Sequence, residues 1–189
     1  MTSGTATVRA EGGATQAWRE WVPPLAVYAA VLAVLLVVSW QTVVHFEEDA
    51  RVGAVVFPGS WFFEGWMRWD GGWYWGIADL GYAYTPGTQS SVAFFPGYPF
   101  AMRLFGRPID NIPLAGIAIT IMSGMLAAVL FWRWCRARLS RSAAVTALLL
   151  LAVYPYGWYL YGAIYGDALF LAASLSAFLL LERDHPVLA

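Results

Sequence analysis

The chain contains no lysine, a single cysteine and few charges of either sign. Charged residues make up 12% of its 189 positions, against about 25% in soluble globular domains, so composition points away from a solvated enzyme and toward a membrane protein. All eleven basic residues are arginine, which hints at a GC-rich genome and says nothing of function. Cys135 has no cysteine to pair with, and it sits among Arg133, Arg136 and Arg138. An inert, reduced thiol is the preferred reading there, over palmitoylation. No His or Cys cluster has metal-ligand spacing, so the sequence demands no cofactor, although two carboxylates could share a divalent cation. What is abundant is apolar and aromatic: 60% of residues are hydrophobic and 17% are Phe, Trp or Tyr.

Four apolar segments are long enough to approach the ~20 residues that cross a ~30 Å hydrocarbon layer. Residues 23–44 and 112–132 carry no charge and are the secure spans. Residues 142–159 meet Pro155 and Gly157 near their end, and residues 163–181 carry Asp167 in the first turn, so these two are weaker and read as a tight helical hairpin. The first span is expected to remain as an anchor, since Arg9 and Arg19 precede it and no small-residue cleavage site follows. The expected fold is all-α and integral to the membrane. A disordered tail (1–20) precedes a transmembrane domain (21–189) with four helices and a long loop over 45–111.

Arginine placement orients this arrangement. The loop 133–141 holds four Arg and no acid, which assigns it to the cytoplasm together with both termini. The loop 45–111 then lies outside, with four Arg against seven acids. It is too apolar for a solvated linker. Phe62, Trp66, Trp69 and Trp73 recur at intervals of four, three and four, which predicts an amphipathic interfacial helix with Asp70 beside its aromatic stripe. Gly71 and Gly72 permit a bend or a close approach there. An isolated carboxylate in such company costs several kcal/mol unless paired or hydrogen-bonded, so Asp70 calls for a functional reason. For the aromatics, a headgroup belt is the plainer reading and sugar stacking the sharper one. Asp79 reads as solvated and His45 as interfacial. Two prolines in Val92–Pro99 rule out a regular helix and predict a fixed, irregular turn at the membrane surface, of the kind tolerated only in protein or beside a cavity. Asp167 and Asp70 fall on the same side of the bilayer.

Three ordered motifs carry a family resemblance. RWDGGWYWGIADLGY (68–82) and VAFFPGYPF (92–100) resemble the first luminal loop of the GPI mannosyltransferase II (PIG-V) family and its bacterial relatives. YPYGWYLYGAIYGDALFLAASL (154–175) is similar to the segment where that family has Tyr-Thr-Glu or Tyr-Ser-Glu; here the triplet is Tyr165-Gly166-Asp167, without the hydroxyl residue and with the acid one carbon shorter. The resemblance implies a GT-C-type glycosyltransferase that moves a sugar, mannose by family analogy, from a polyprenyl-phosphate donor to a glycolipid, glycan or protein acceptor. It places an acid of the first outer loop at the catalytic centre.

The implied site has Asp70 as base in an inverting transfer, since a positioned carboxylate can take the acceptor proton as lipid phosphate departs. Arg68 either pairs the phosphate or holds Asp70, and Arg103 is a further candidate for the phosphate. Asp167 either orients the acceptor or is a helix N-terminal acid favoured by the dipole. Trp69, Trp73, Tyr74 and Tyr165 complete the expected substrate-binding set. Membrane lipid is an expected partner and nucleic acid is not. Four spans are at most half of the eight or more the resemblance implies, and Glu182–Pro186 reads as a turn toward another helix, so a fragment is a standing expectation. Two other readings are weaker. A non-catalytic assembly or lipid-binding subunit would use the aromatic loop as an interface. A small transporter would place its charges along the spans, where this chain has almost none.

Overall fold

The computed structural model describes residues 4–45, 60 and 64–183, the stretch before residue 20 by its backbone alone. The described residues are mostly helical, with no strand among them. The α-helices are α1 (Gly4–His45), α2 (Gly71–Leu80), α3 (Gly97–Gly106), α4 (Ile112–Arg136), α5 (Arg141–Ala152) and α6 (Asp167–Leu181). Short 3-10 turns cover Ser91–Ala93, Arg107–Ile109 and Pro155–Leu160. Helical backbone extends back to Gly4, into the tail whose composition predicts disorder; lengthening a formed helix costs far less than nucleating one.

Two helices have the length and apolarity to cross a membrane, Glu20–His45 within α1 and all of α4. They run antiparallel. Trp132 Nε1 donates to Glu20 Oε2 at 3.1 Å near one end, and the Tyr28 hydroxyl donates to Leu160 O (2.8 Å), with Ile121 O at 3.2 Å, nearer the other. Val34, Val37, Val38 and Val44 on α1 are exposed, an apolar surface that water would not tolerate and lipid would, so the chain is membrane-associated. α5 and α6, at 12 and 15 residues, would span about 18 and 22 Å, short of a full hydrocarbon layer. Pro155 and the irregular stretch 161–166 account for the shortfall, because neither continues a helix.

α4 is the axis of the body, with α6, α3 and α1 packed on it. Many of its buried positions are small, Ala115, Gly116, Thr120, Ser123, Gly124, Ala127 and Ala128 among them, beside the larger Ile117, Val129 and Trp132. Small residues let backbones approach closely, which is how helices gain contact where lipid offers no hydrophobic contrast. The closest approach is at Gly124, where an added Cβ would lie 2.0 Å from Leu160 O and 2.7 Å from the Tyr28 hydroxyl. The body thus has a basic end, with Arg133, Arg136, Arg138 and Arg141, and an opposite, acidic end with Asp70 and Asp167.

The segment between α1 and α4 departs from expectation in two places. No continuous helix carries Trp66, Trp69 and Trp73 on one face: α2 begins at Gly71, Trp66 is buried, and Trp69 has left-handed backbone at φ 47°. Phe62, the fourth member of the predicted stripe, lies outside the described residues. The second departure is α3, which starts inside the proline-bearing segment. Pro99 sits in its first turn, where the missing N–H had no intrahelical partner to lose. Residues 94–96, after the short 3-10 turn, remain irregular, as two prolines predict.

Gly124→Ala forces a Cβ against a backbone carbonyl that cannot move cheaply, and it should cost about 1–3 kcal/mol. Thermal unfolding in detergent checks this, with Gly76→Ala as control. Gly76 lies in α2 with open space around it, and that substitution should be neutral or slightly stabilising.

Candidate active site

The acidic end is assembled from two segments 95 residues apart. Residues 161–166 follow the 3-10 turn and are largely buried without helical hydrogen bonds, so their backbone groups need partners elsewhere. Thr120, in the middle of α4, donates its hydroxyl to Ala163 O at 2.9 Å, with Tyr165 O at 3.4 Å. Tyr98 of α3 lies 2.8 Å from Thr120 Oγ1 and donates to Gly116 O at 2.9 Å. The Ile164 N–H donates to Trp66 O at 3.1 Å. The Tyr165 hydroxyl closes the set: it accepts the Asp70 N–H at 2.8 Å and donates to Arg68 O at 3.3 Å. Residues 66–70 are therefore held at three points by 164–165.

That clamp stabilises an unfavourable backbone. Trp69, between the two groups that Tyr165 holds, has a positive φ that bulky residues rarely adopt, and such outliers persist only where surrounding structure over-determines them. Its side chain is 70% exposed, with one edge against Trp158. Asp70 occupies the N-cap position of α2 with an exposed side chain that caps nothing. Gly71 packs 3.5 Å from Ile164 O measured from where a Cβ would stand, the close approach its sequence position suggests, whereas Gly72 faces open space.

Tyr74, one turn into α2, packs between α3 and the segment that leads into α6. Its ring packs edge-on against Tyr98, Tyr165 and Phe94, and its hydroxyl approaches Gly166. Burial first, then the neighbouring carboxylates of Asp167 and Asp70, hold its phenol above the usual tyrosine range, so it stays protonated. Burial does the same for Tyr98.

The remaining expected site residues divide. Arg68 is half-buried and forms no ion pair with Asp70; among the described residues its guanidinium meets no acceptor. It lines, with Trp66, Trp69, Trp158, Leu35 and Val38, a mostly apolar groove of about 430 Å³ against α1. Ser39 Oγ, at the same groove, is buried and has no hydrogen-bond partner among the described residues. Trp73 stacks on Phe94. Arg103 is elsewhere: its Nε and Nη2 donate to Ala78 O and Asp79 O at 2.5 and 3.0 Å, neutralising the carbonyl end of α2. Asp167 opens α6 as its first residue. Among the described residues, no three His, Cys, Asp or Glu side chains converge. Tyr98 and Thr120 were not singled out by sequence reasoning. A hydroxyl in the middle of an apolar span was the available signal for Thr120.

The family model for mannosyltransferase (PIG-V) matches residues 27–187. The chain belongs to the PIG-V mannosyltransferase family. No curated protein and no solved structure matches it. As a family member it is a membrane-associated glycosyltransferase, joining a sugar donor to a glycoconjugate acceptor. Its clamp joins the first and third of the family-like motifs, since 68–70 and 165 meet through one hydroxyl.

Tyr165→Phe removes the acceptor for the Asp70 N–H and the donor to Arg68 O while keeping the ring packing. The expected loss is about 0.5–1.5 kcal/mol of stability per hydrogen bond, read by thermal unfolding in detergent, together with faster amide exchange at Asp70.

Proposed function

We propose that the protein transfers mannose from a polyprenyl-phosphate donor to an acceptor hydroxyl on the non-cytoplasmic face of the membrane, with inversion at the anomeric carbon and Asp70 as base. The observation that carries the reading is the placement of Asp70: its backbone is fixed by Tyr165, its carboxylate is exposed, and its neighbours Arg68 and Trp69 line the apolar groove. In the step, the acceptor oxygen forms a bond to the anomeric carbon as the bond from that carbon to the phosphate oxygen breaks. The electron pair leaves with polyprenyl phosphate, and the acceptor proton passes to the Asp70 carboxylate. Arg68, whose guanidinium has no acceptor among the described residues, takes the departing phosphate, and the isoprenoid chain lies in the groove against Leu35 and Val38. Trp69 offers its exposed face to the sugar.

Asp167 orients the acceptor, and the protonated Tyr74 hydroxyl lies within electrostatic reach of both carboxylates. Arg103 serves as a positioning residue for α2 in place of the phosphate role the resemblance suggested. The arginines at one end and the acids at the other support cytoplasmic termini. In that topology α5 with its 3-10 extension and α6 with residues 163–166 form the third and fourth crossings. Exposed aromatics at the acidic end, including Tyr84, Phe95 and Phe100, favour a second reading, an assembly or lipid-binding subunit whose aromatic loop is an interface. Donor binding that never proceeds to turnover without a partner would support that alternative.

Asp70→Asn should lower transfer by at least about 10²-fold without changing protein level or unfolding temperature, as loss of a general base predicts. Wild-type turnover in that variant removes Asp70 from the role. Val38→Trp narrows the groove and should raise KM for the lipid donor severalfold while leaving kcat near wild type; an unchanged KM assigns the chain elsewhere.

A further inference from the structure

A second polar pocket lies at the basic end, away from the acidic site and independent of any reading of it. It holds about 440 Å³ between α1 and the last turn of α4 and is lined by Glu20, Trp21, Val129, Arg133, Arg136 and Ala137. The four arginines of this end are not equivalent. Arg138 is committed: it pairs with Glu182, donates to Trp134 O at 2.9 Å and lies over the Trp134 ring. Arg141 lies outside the pocket. Arg133 faces the pocket, is exposed, and has no partner among the described residues.

Arg136 is under-satisfied. Among the described residues, of its five N–H donors only Nη1 reaches an acceptor within hydrogen-bond range, Leu139 O at 3.4 Å, while the shielded Nε keeps a loose ion pair with Glu20 Oε2 at 3.7 Å and the guanidinium lies 5.9 Å from the Trp132 ring centroid. Glu20 itself accepts from Trp132 Nε1. The pocket therefore carries two cations against one carboxylate, with unused guanidinium donors turned to it, and calls for an anion with several acceptor oxygens. Its surroundings define the rest of that ligand. The exposed Trp21, Val22 and Leu25 continue along α1 from the pocket, apolar surface suited to hydrocarbon.

We infer that this pocket binds the phosphodiester of an anionic phospholipid, with Arg133 and Arg136 on the phosphate oxygens and the acyl chains along the apolar face of α1. Arginine pairs phosphate oxygens through its planar fork, and basic pockets between membrane helices are suited to such headgroups. Glu20 opposes the headgroup and sets a modest affinity.

The test uses the full chain in nanodiscs or detergent with phosphatidylglycerol, phosphatidylcholine and inorganic phosphate as probes, reading retained lipid by native mass spectrometry and the shift in unfolding temperature. Phosphatidylglycerol should be retained and should stabilise the protein, and phosphatidylcholine should do neither. Arg133→Gln, which breaks no contact among the described residues, should weaken retention about fivefold, the effect of one basic group near a headgroup. Glu20→Gln should strengthen it, and Arg141→Gln should leave it unchanged. The inference is overturned if Arg141→Gln matches Arg133→Gln, which would mean a diffuse basic surface, or if neither change affects retention. Stabilisation by millimolar inorganic phosphate equal to that by the lipid would also overturn it, identifying a soluble anion as the ligand. None of these readouts depends on sugar transfer, so failure here leaves the transferase proposal standing.

Discussion

Backbone that leaves helical geometry inside an apolar body must find its hydrogen-bond partners elsewhere, and residues 161–166 of this protein find them on α4 and the loop before α2. An unmade buried hydrogen bond costs about 1–3 kcal/mol, so this stretch cannot be accommodated without those partners. Thr120 takes the carbonyl side, Trp66 O takes the Ile164 N–H, and the Tyr165 hydroxyl returns to Arg68 and Asp70. Everything distinctive at the acidic end depends on this exchange. The loop holding Asp70 has no regular structure of its own, and Trp69 within it has a backbone conformation it would not keep unaided.

The two ends of the body use polar groups in opposite ways. At the acidic end the hydroxyls of Thr120, Tyr98 and Tyr165 are spent on backbone, leaving Asp70 and Arg68 as the groups with capacity to spare. At the basic end Arg138 is spent on Glu182 and Trp134, while Arg133 and Arg136 keep unused donors. In both places the side chains available to a ligand are those that the fold does not consume. Arg103 illustrates the converse: a cation that looks available in the sequence is occupied by the carbonyl end of α2.

Much of the fold was legible from local properties. Residues 23–44 and 112–132 are charge-free and of spanning length, and they fall within α1 and α4. Pro155 announced the end of a helix that does stop at Ala152. The aromatic loop misled for a physical reason. Its residues recur at helical spacing, yet Trp66 is drawn into the core with Met67, Tyr98 and Ile164, which leaves no way to keep Trp69 on the same face. Pro99 misled differently, since a proline excludes a helix from its interior and is harmless in the first turn.

The sequence by itself determined the class of the protein, its two long apolar helices, the separation of arginines from the acids of the loop, and a family-like set of motifs. Hydrophobic length, charge and motif spacing are all properties of residues near one another along the chain. Only the tertiary structure decided that Tyr165 is a clamp, that Arg103 caps a helix, and that Arg68 stands free of Asp70 beside a groove. Those outcomes depend on which donor meets which acceptor across separations such as the 95 residues between Asp70 and Tyr165, and burial, not spacing, selects those partners.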